Sequence, residues 1–500
     1  IGEKEREIGE KEREIGEKER EIGEKNHELS LIKSSKFWKL RERYLKIKRL
    51  KPKNILNMQK EAFRVLKEKG PKRFLWCIPK YLLHGKEYFV KKEKPKTETA
   101  GIYCLTGTHK KEKNVIQQIK EFSKKNKEEI ILLISHDASS TGAPILVSDI
   151  AKSLVSDKFN KKVIILAING GAIESRLEQS GLFINLNQPI DSPLNNIQEV
   201  NTIFKTIKKI GVKKCICNSV VSGALVPFLH DHSFIYINLI HEQSKTILDF
   251  GFMDALINIL KHSKKIIFSA NFVKDEFSKI FSFRFKDSIV RPQGLCFKNK
   301  FKNNRGLAKK LLIKKLKLPS RSKIVLSCGY ADKRKGLDLF YDVANRVFDS
   351  GEKNTEFIWL GQIDTLLLKK LKRKFINKEF TQKIHFHDFE NDPSIYFAGA
   401  DIFLLTSRED PFPTVVLMAM DCGLPVLAFE NSGGIPEILK GGVGVPVPYL
   451  DTEAMSKELI KLLSDNNDRK NFSERRKKMI ENDFNFNKYV AFLLSTLNKC

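Results

Sequence analysis

Residues 401–437, DIFLLTSREDPFPTVVLMAMDCGLPVLAFENSGGIPE, carry the pattern that decides the fold. An apolar run of strand length, 402–405, leads into a polar turn with two prolines, and an apolar segment of helical length begins at Thr414. A second apolar run, 425–429, ends in the glycine loop 432–434. Strand, loop, helix, strand and glycine loop predict a βαβ unit, and open α/β sheets bind ligands at the carboxyl ends of such strands. The loop before the helix also offers free N–H groups to an anion.

The length of 500 residues predicts two or three domains. No apolar run approaches the roughly 20 residues of a membrane span. The eight cysteines lack the paired spacing of metal sites, so we expect reduced thiols and no bound metal. The first residue is Ile1 and no signal peptide is visible, which is consistent with a piece of a longer cytoplasmic protein.

Residues 1–28 contain a heptad repeat, IGEKERE, with one apolar residue in seven. A coiled-coil seam needs two apolar positions per heptad, and the glycine of each repeat costs a helix about 1 kcal/mol relative to alanine. We therefore favour a charged, partly helical linker over a dimerising coiled coil.

Residues 29–100 form a strongly basic segment. Residues 31–100 hold 22 Lys and Arg against 6 Asp and Glu, a net charge of +16, within a chain whose formal charge is +30. Aromatic side chains alternate with the basic ones over 33–96, which suits amphipathic helices on an anionic membrane surface at the inner face. Packing of these helices on the globular body explains the pattern equally well. No nucleic-acid-binding signature accompanies the charge, so we expect no nucleic-acid partner.

From residue 101 onward, long apolar strands alternate with helices, which predicts doubly wound parallel sheets. We expect an N-terminal Rossmann-like domain (101–297), a second one (298–481) and a C-terminal helix (482–500) that packs back on the first domain. Two such α/β domains imply a cleft between them, and clefts of this kind commonly bind ligands. The strand-like runs lie near 130–135, 163–171, 215–224, 234–242, 266–273, 288–294, 323–328, 357–362, 383–389, 402–407 and 425–434.

Over about residues 128–495 the chain resembles the retaining, nucleotide-sugar-dependent glycosyltransferases of family 4 (group 1). The resemblance rests on the order and spacing of four segments, SHDASSTGAP (135–144), 329–336, 407–423 and GGIPE (433–437). It implies the GT-B fold, with two Rossmann-like domains facing a cleft. It also implies a bacterial hexosyltransferase of polysaccharide biosynthesis that needs no metal or other cofactor. Such an enzyme moves a sugar from a nucleotide diphosphate-sugar to a glycan or lipid-linked hydroxyl acceptor with retention.

The resemblance assigns Lys335 to the donor diphosphate, because protein cations must neutralise that group when no metal does. Tyr330 stands where the family often has an arginine, and the neighbouring Arg334 can take its place, since arginine grips phosphate with two hydrogen bonds. Gly142 matches a glycine that lets backbone amides reach the phosphate. His241 matches a histidine near the reacting sugar, where it contacts sugar hydroxyls or the leaving phosphate.

The family signature is a pair of glutamates eight residues apart, and this chain departs from it at both positions. Asp410 and Met418 occupy them, and Glu409 lies one residue out of register. An aspartate still accepts hydrogen bonds from sugar hydroxyls, whereas methionine cannot hold the ribose hydroxyls. The resemblance places other donor contacts nearby, at Phe412, Pro413, Thr414, Val415, Gly433, Gly434 and Glu437.

Ordinary structural explanations exist for each of these residues. Asp410 and Glu409 suit a helix N-cap, Met418 suits a core position, and His241 suits a buried, hydrogen-bonded histidine. The cluster at 230–232, His-Asp-His, is more typical of a surface turn than of a metal site. Two other functions therefore stay open, a degenerate GT-B module that binds nucleotide-sugar or glycan without turnover, and a GT-B sugar-nucleotide epimerase.

Overall fold

The structure is a computed structural model, and it describes residues 104–500 apart from 191–193, 282–286, 376–378 and 465–472. Outside the described residues lie the predicted linker or coiled coil (1–28), the basic segment (29–100) and its predicted membrane-binding part (33–96).

The N-terminal sheet forms from apolar runs that are buried on both faces, as in β1, where all six residues of IILLIS are buried. Its strands are parallel and follow the order β3-β2-β1-β4-β5-β6-β7. Their bounds are β1 (Ile130–Ser135), β2 (Lys162–Ala167), β3 (Leu182–Asn185), β4 (Lys214–Asn218), β5 (Ile235–Ile240), β6 (Ile266–Phe268) and β7 (Ser288–Val290).

Helices cover both faces of this sheet and connect its strands. A short 3₁₀ turn, Val221–Leu225, follows β4. The helices are α1 (Cys104–Lys125), α2 (Gly142–Leu154), α3 (Glu174–Glu178), α4 (Ile197–Lys209), α5 (Val226–Asp231), α6 (Ser244–Phe250), α7 (Met253–His262) and α8 (Asn271–Phe281).

The second sheet repeats the design with the strand order β10-β9-β8-β11-β12-β13. Its strands are β8 (Lys323–Cys328), β9 (Thr355–Leu360), β10 (Ile384–His387), β11 (Ile402–Leu405), β12 (Val426–Phe429) and β13 (Val445–Val447). A 3₁₀ turn, Glu379–Lys383, precedes β10. The helices around this sheet are α9 (Arg305–Leu316), α10 (Leu337–Asp349), α11 (Thr365–Lys374), α12 (Ser394–Gly399), α13 (Thr414–Asp421), α14 (Ile435–Ile438), α15 (Thr452–Ser464) and α16 (Ser473–Asp483). The predicted fold class, two doubly wound Rossmann-like domains, is confirmed.

Each sheet reverses its strand order at one point. Ile131 of β1 pairs with β2 on one side and with β4 on the other. In the second sheet, Val325 of β8 pairs with β9 and with β11. Ligands of doubly wound sheets bind outside the carboxyl ends of the strands at such reversals. The loops after β1, β4, β8 and β11 are therefore where a ligand site belongs.

The last helix, α17 (Phe486–Asn498), returns to the N-terminal domain. Its apolar residues, among them Tyr489 and Leu493, share a buried cluster with Ile131 and Leu133 of β1. Just before it, the Phe484 carbonyl accepts a hydrogen bond of 2.8 Å from the Leu295 amide. This return of the chain ties the two domains together at the side of the cleft. Among the helices that the structure describes, none has the length and apolar content needed to cross a membrane.

Candidate functional site

The loop after β8, residues 329–336 and here named the lysine loop, is fitted against the end of β11. Gly336 has a φ of +77°, and a Cβ atom added there would lie 2.0 Å from the Thr406 carbonyl oxygen. Only glycine fits this position, because it has no Cβ atom to clash with Thr406 and because it adopts positive φ without steric strain. The Thr406 hydroxyl donates to the Gly336 carbonyl at 3.0 Å. This close approach brings the lysine loop beside the turn that follows β11, residues 407–413, here named the acidic turn.

Lys335 and Asp410 form an ion pair where these two loops meet. The Lys335 Nζ lies 2.5 Å from Asp410 Oδ2, and their side chains are only 15% and 7% exposed. The Lys335 amide donates to Asp332 Oδ1 at 2.7 Å, which fixes the loop backbone. The loop therefore delivers a largely buried cation to the carboxyl edge between β8 and β11. A cation held in this way favours an anionic ligand.

Arg334 and Glu409 are the chain neighbours of this pair. The Arg334 guanidinium donates to the Glu409 carbonyl at 3.0 Å, while Tyr330, within the lysine loop, is 49% exposed. The Glu409 carboxylate pairs with Lys245 of the N-terminal domain. Burial lowers the pKa of Lys245, but the hydrogen bond and charge of Glu409 outweigh burial and raise it overall. Glu409 is thus engaged across the cleft and is not aligned beside Asp410.

The loop after β12, residues 432–437 and here named the glycine loop, lies directly on the acidic turn. The Asp410 amide donates to the Ser432 carbonyl at 2.7 Å, and the Gly434 amide donates to the Pro411 carbonyl at 3.0 Å. Gly433 has a φ of +146°, and an added Cβ would lie 1.8 Å from the Asp410 carbonyl oxygen. Gly433 and Gly434 therefore allow two backbones to touch, and this contact holds Asp410 in place.

Helix α13 begins at the acidic turn and carries the remaining predicted donor contacts. Pro413 precedes its first residue, Thr414, and no side chain caps its N-terminal amides. The Thr414 hydroxyl instead accepts a hydrogen bond of 2.7 Å from Gln293 of the N-terminal domain. Met418, on the same helix, is partly buried against the core. Its surroundings match the ordinary packing explanation. Val415 also packs partly buried against this core, and Phe412 is 8% exposed.

The N-terminal wall of the cleft holds His241, which follows β5. His241 Nε2 lies 3.0 Å from Asn218 Oδ1. The amide of Asn218 is oriented because its Nδ2 donates to the Ala143 carbonyl at 2.9 Å. Since Oδ1 only accepts, His241 must donate from Nε2, and this leaves Nδ1 as an acceptor. Burial lowers the pKa of His241, so the imidazole is neutral at neutral pH.

Gly142 begins α2 beside this wall, and no heavy atom lies within 4 Å of the position that a Cβ would take. Its preceding residue, Thr141, makes no side-chain cap. In the same loop, the Asp137 carboxylate accepts from the amide and the hydroxyl of Ser139 at 3.0 and 2.9 Å. The N-terminus of a 13-residue helix thus opens next to Asn218 and His241. Such an opening suits the negative end of a ligand.

Glu437 lies at the boundary of the two domains and caps a helix of the other domain. Its carboxylate accepts from the amides of Asn271 and Phe272, at 3.0 and 2.8 Å, and from Asn271 Nδ2 at 2.9 Å. These are the first residues of α8, so the negative charge faces the positive end of the helix dipole. The structure places Glu437 at an interdomain contact, and its carboxylate is already occupied there.

Several residues of the site were not found from the sequence. Asn218, Gln243, Lys245 and Gln293 are polar residues at or shortly after the carboxyl ends of β4 to β7. Their position at strand ends is a signal that the sequence offers. The partners of Gln243, Lys245 and Gln293 lie in the other domain, whereas Asn218 pairs within its own domain. Gln243 is 3% exposed, and its amide donates to the Ser432 carbonyl at 3.1 Å.

Potential metal ligands are dispersed. Within the described part of the chain, no three His, Cys, Asp or Glu residues are grouped closely enough to hold a metal ion. His230 packs its ring 4.5 Å from that of His262, and His232 Nε2 lies 2.7 Å from Asn201 Oδ1. The histidines at 230–232 thus belong to surface contacts.

The C-terminal domain matches a known protein family. Residues 308–479 match the family model for glycosyl transferases group 1. N-acetyl-alpha-D-glucosaminyl L-malate synthase of Bacillus anthracis is 29% identical over 116 residues, which cover 23% of this chain and 30% of that protein. The lipopolysaccharide core biosynthesis glycosyltransferase LpsE of Rhizobium meliloti (strain 1021) is 23% identical over 161 residues, or 32% of this chain and 45% of that one. The chain spans less than half the length of these curated relatives.

The fold comparison covers both domains. The crystal structure of HepE from Anabaena, in complex with UDP and glucose, superposes with a TM-score of 0.65 at 17% identity. It covers 74% of this chain and 100% of its own. This likeness shows the GT-B fold. The C-terminal domain therefore matches the family model for glycosyl transferases group 1, and the two domains together have the GT-B fold.

Proposed function

We propose that this protein transfers a sugar from a nucleotide diphosphate-sugar to a hydroxyl acceptor, with retention of the anomeric configuration. The observation that carries the proposal is the buried cation of Lys335 at the strand-order reversal of the C-terminal sheet. His241 and the open N-terminus of α2 occupy the corresponding edge of the N-terminal sheet. The two edges supply groups for the two ends of a diphosphate-sugar.

In this proposal, Lys335 binds the diphosphate while it keeps its contact with Asp410. An ammonium group has three N–H donors, so one serves the carboxylate and another serves a phosphate oxygen. Arg334 donates one N–H to the Glu409 carbonyl, and its remaining N–H groups can donate to the same phosphate. Negative charge grows on the diphosphate as the sugar leaves, and fixed cations stabilise it in the transition state. This supports transfer without a metal ion.

His241 would accept a hydrogen bond from a donor-sugar hydroxyl at Nδ1, because Asn218 holds the Nε2–H. Asp410, anchored through its backbone to the glycine loop, would accept from another sugar hydroxyl. These contacts orient the anomeric carbon toward the acceptor side of the cleft. We assign no side chain as nucleophile or general base. The bond from the sugar to phosphate breaks as the acceptor oxygen attacks the same face, and the leaving phosphate oxygen takes the acceptor proton.

For the substrates, similar proteins give a starting point. LpsE is a lipopolysaccharide core biosynthesis glycosyltransferase, and the structure of HepE contains UDP and glucose. We therefore propose a UDP-hexose as the first donor to test and a glycan or lipid-linked polysaccharide precursor as the acceptor class. We place the reaction in the cytoplasm, with residues 33–96 attaching the protein to the inner membrane face.

The test is donor consumption by the full chain, measured by NMR with a panel of UDP- and GDP-hexoses, with and without a lipid-linked glycan acceptor preparation. Transfer or slow hydrolysis of one donor, with release of nucleoside diphosphate, is expected. Conversion of a UDP-sugar into its epimer without acceptor would instead identify a sugar-nucleotide epimerase. The replacement of a signature glutamate by Met418 favours a second candidate, a module that binds donor without turnover. Binding of a donor without consumption under all conditions would establish that candidate and contradict the enzyme.

A further inference from the structure

An exposed pair of phenylalanines stands at the end of α6, on the N-terminal wall of the cleft. Phe250 is 66% exposed, the second-highest exposure among large apolar side chains that the structure describes. Its ring lies parallel to that of Phe252, with an interplanar angle of 12° and centroids 6.0 Å apart. Phe252 in turn packs partly buried against the core. The ring of Phe252 is therefore held by the core and supports the ring of Phe250, which presents apolar surface to solvent.

The local backbone explains why the rings adopt this arrangement. Gly251 has a φ of +74° and ends α6 in the left-handed conformation. The amides of Gly251 and Phe252 both donate to the Ile247 carbonyl, the latter at 2.9 Å. This helix-ending motif satisfies a terminal carbonyl and ends α6 between the two rings. The aromatic pair is thus set by a defined backbone turn.

The pair lies close to the proposed reaction site because residues at the start of α6 contact the loops of that site. Gln243 precedes α6 and reaches Ser432 of the glycine loop, and Lys245 pairs with Glu409 of the acidic turn. At 1.5 Å per residue, Phe250 lies about 8 Å along the helix from Lys245. Across the cleft, Tyr449 is 43% exposed, and its hydroxyl donates to the Arg408 carbonyl at 3.1 Å. Exposed aromatic rings therefore occur at Tyr449, beside the acidic turn, and at Phe250, at the other end of α6.

The charges around the pair select the kind of ligand. Asp249 and Asp254, which precede and follow the two rings in the sequence, are both exposed. Their carboxylates would repel an anionic lipid surface or a nucleic acid. Carboxylates accept hydrogen bonds from hydroxyl groups, and the electron-rich face of a phenylalanine ring attracts the C–H groups of a pyranose. An aromatic ring flanked by carboxylates fits a neutral sugar.

We propose that Phe250, supported by Phe252 and flanked by Asp249, is the platform on which a sugar ring of the acceptor glycan stacks. This inference rests on the proposed function for the direction of transfer, but sugar binding at Phe250 does not require turnover. Phe250 lies about 8 Å along α6 from Lys245, which pairs with Glu409, so a sugar next to the stacked one would reach the cleft.

The experiment is saturation-transfer NMR of the full chain with methyl glycosides of glucose, galactose, mannose and N-acetylglucosamine. We expect saturation on the axial C–H face of at least one glycoside, with binding weakened about fivefold in Phe250→Ala and retained in Phe250→Trp. Asp249→Asn should weaken binding as well. Ile280→Ala is the matched control, because Ile280 is 40% exposed at the far end of α8, away from the cleft.

Three results would overturn the platform. The first is that no glycoside in the panel binds the wild-type chain, and the second is that Phe250→Ala binds glycosides as tightly as wild type. The third is that Phe250→Ala lowers binding to neutral phosphatidylcholine vesicles and leaves glycoside binding unchanged, which would make the pair a lipid contact. Thermal shift with UDP separates this test from the proposed function. Phe250→Ala should keep the full UDP-induced shift, and loss of the shift in every variant, wild type included, would count against the donor site instead.

Discussion

Met418 sits half-buried on α13, at the position where the family resemblance puts an acid for the donor ribose. A thioether accepts hydrogen bonds weakly, so the present side chain contributes packing but little ribose recognition. Met418→Glu should therefore tighten UDP binding by about tenfold, since a hydrogen bond to a charged group contributes about 1.5–3 kcal/mol and burial of the new carboxylate takes part of it. Calorimetric titration measures the change. Met418→Leu is the control and should leave the affinity unaltered, and equal affinities for all three chains would contradict the alignment of Met418 with that acid.

His241 gives a prediction of pH dependence. Burial lowers its pKa in the folded state below the ordinary value of 6.5. Between these two pKa values the unfolded chain binds more protons than the folded one, so the free energy of unfolding falls as the pH falls below about 6.5. His241→Gln removes this titration. From pH 7.5 to 5.5, chemical denaturation should show a smaller loss of stability in the variant than in wild type. Other histidines titrate in both chains and cancel in the difference, and equal losses would show that His241 is not buried as described.

At the scale of elements, the contact between Glu437 and the start of α8 joins a loop of one domain to a helix of the other. Glu437→Gln should lower the free energy of unfolding by about 1–2 kcal/mol, because the helix loses a charged cap and keeps at most a neutral one. Urea denaturation measures this. Glu453→Gln is the control, since Glu453 is exposed and pairs with nearby surface cations, Lys457 and Arg346. It should change stability little. An equally small effect of Glu437→Gln would remove its role as a cap.

The strands and helices could be predicted from the sequence, but the side-chain contacts between the two domains could not. Apolar runs such as IILLIS in β1 must be buried on both faces, so their strands and the parallel sheets follow from composition and alternation with helices. The pairing of Gln243 with Ser432 spans 189 residues, and that of Asn271 with Glu437 spans 166. No local pattern encodes such contacts. The contact of the Glu437 carboxylate with the start of α8 is one of these, while its donor contact stays a prediction from the resemblance.

At the scale of the whole molecule, both domains place their strand-order reversals at one cleft, and each contributes a different kind of group. The C-terminal domain supplies the buried cation of Lys335, and the N-terminal domain supplies a neutral histidine and an open helix end. Hydrogen bonds between the domains, such as that from Gln293 to Thr414, fix the position of one wall of the cleft relative to the other. In the proposed function, this arrangement would place the charged leaving group at the C-terminal wall and the hydroxyl-bearing sugar at the N-terminal wall.

The most direct test of this account is calorimetric titration of UDP and GDP into the wild-type chain and into Lys335→Ala. We predict one-to-one binding of one nucleotide to wild type and binding about 10- to 100-fold weaker to Lys335→Ala, because a charge-assisted hydrogen bond to phosphate contributes about 1.5–3 kcal/mol. Lys333→Ala is the matched control, since Lys333 neighbours Lys335 but is 71% exposed and pairs with Asp338. It should bind as wild type does. Failure of both nucleotides to bind wild type, or equal affinity of wild type and Lys335→Ala, would contradict a diphosphate site at Lys335.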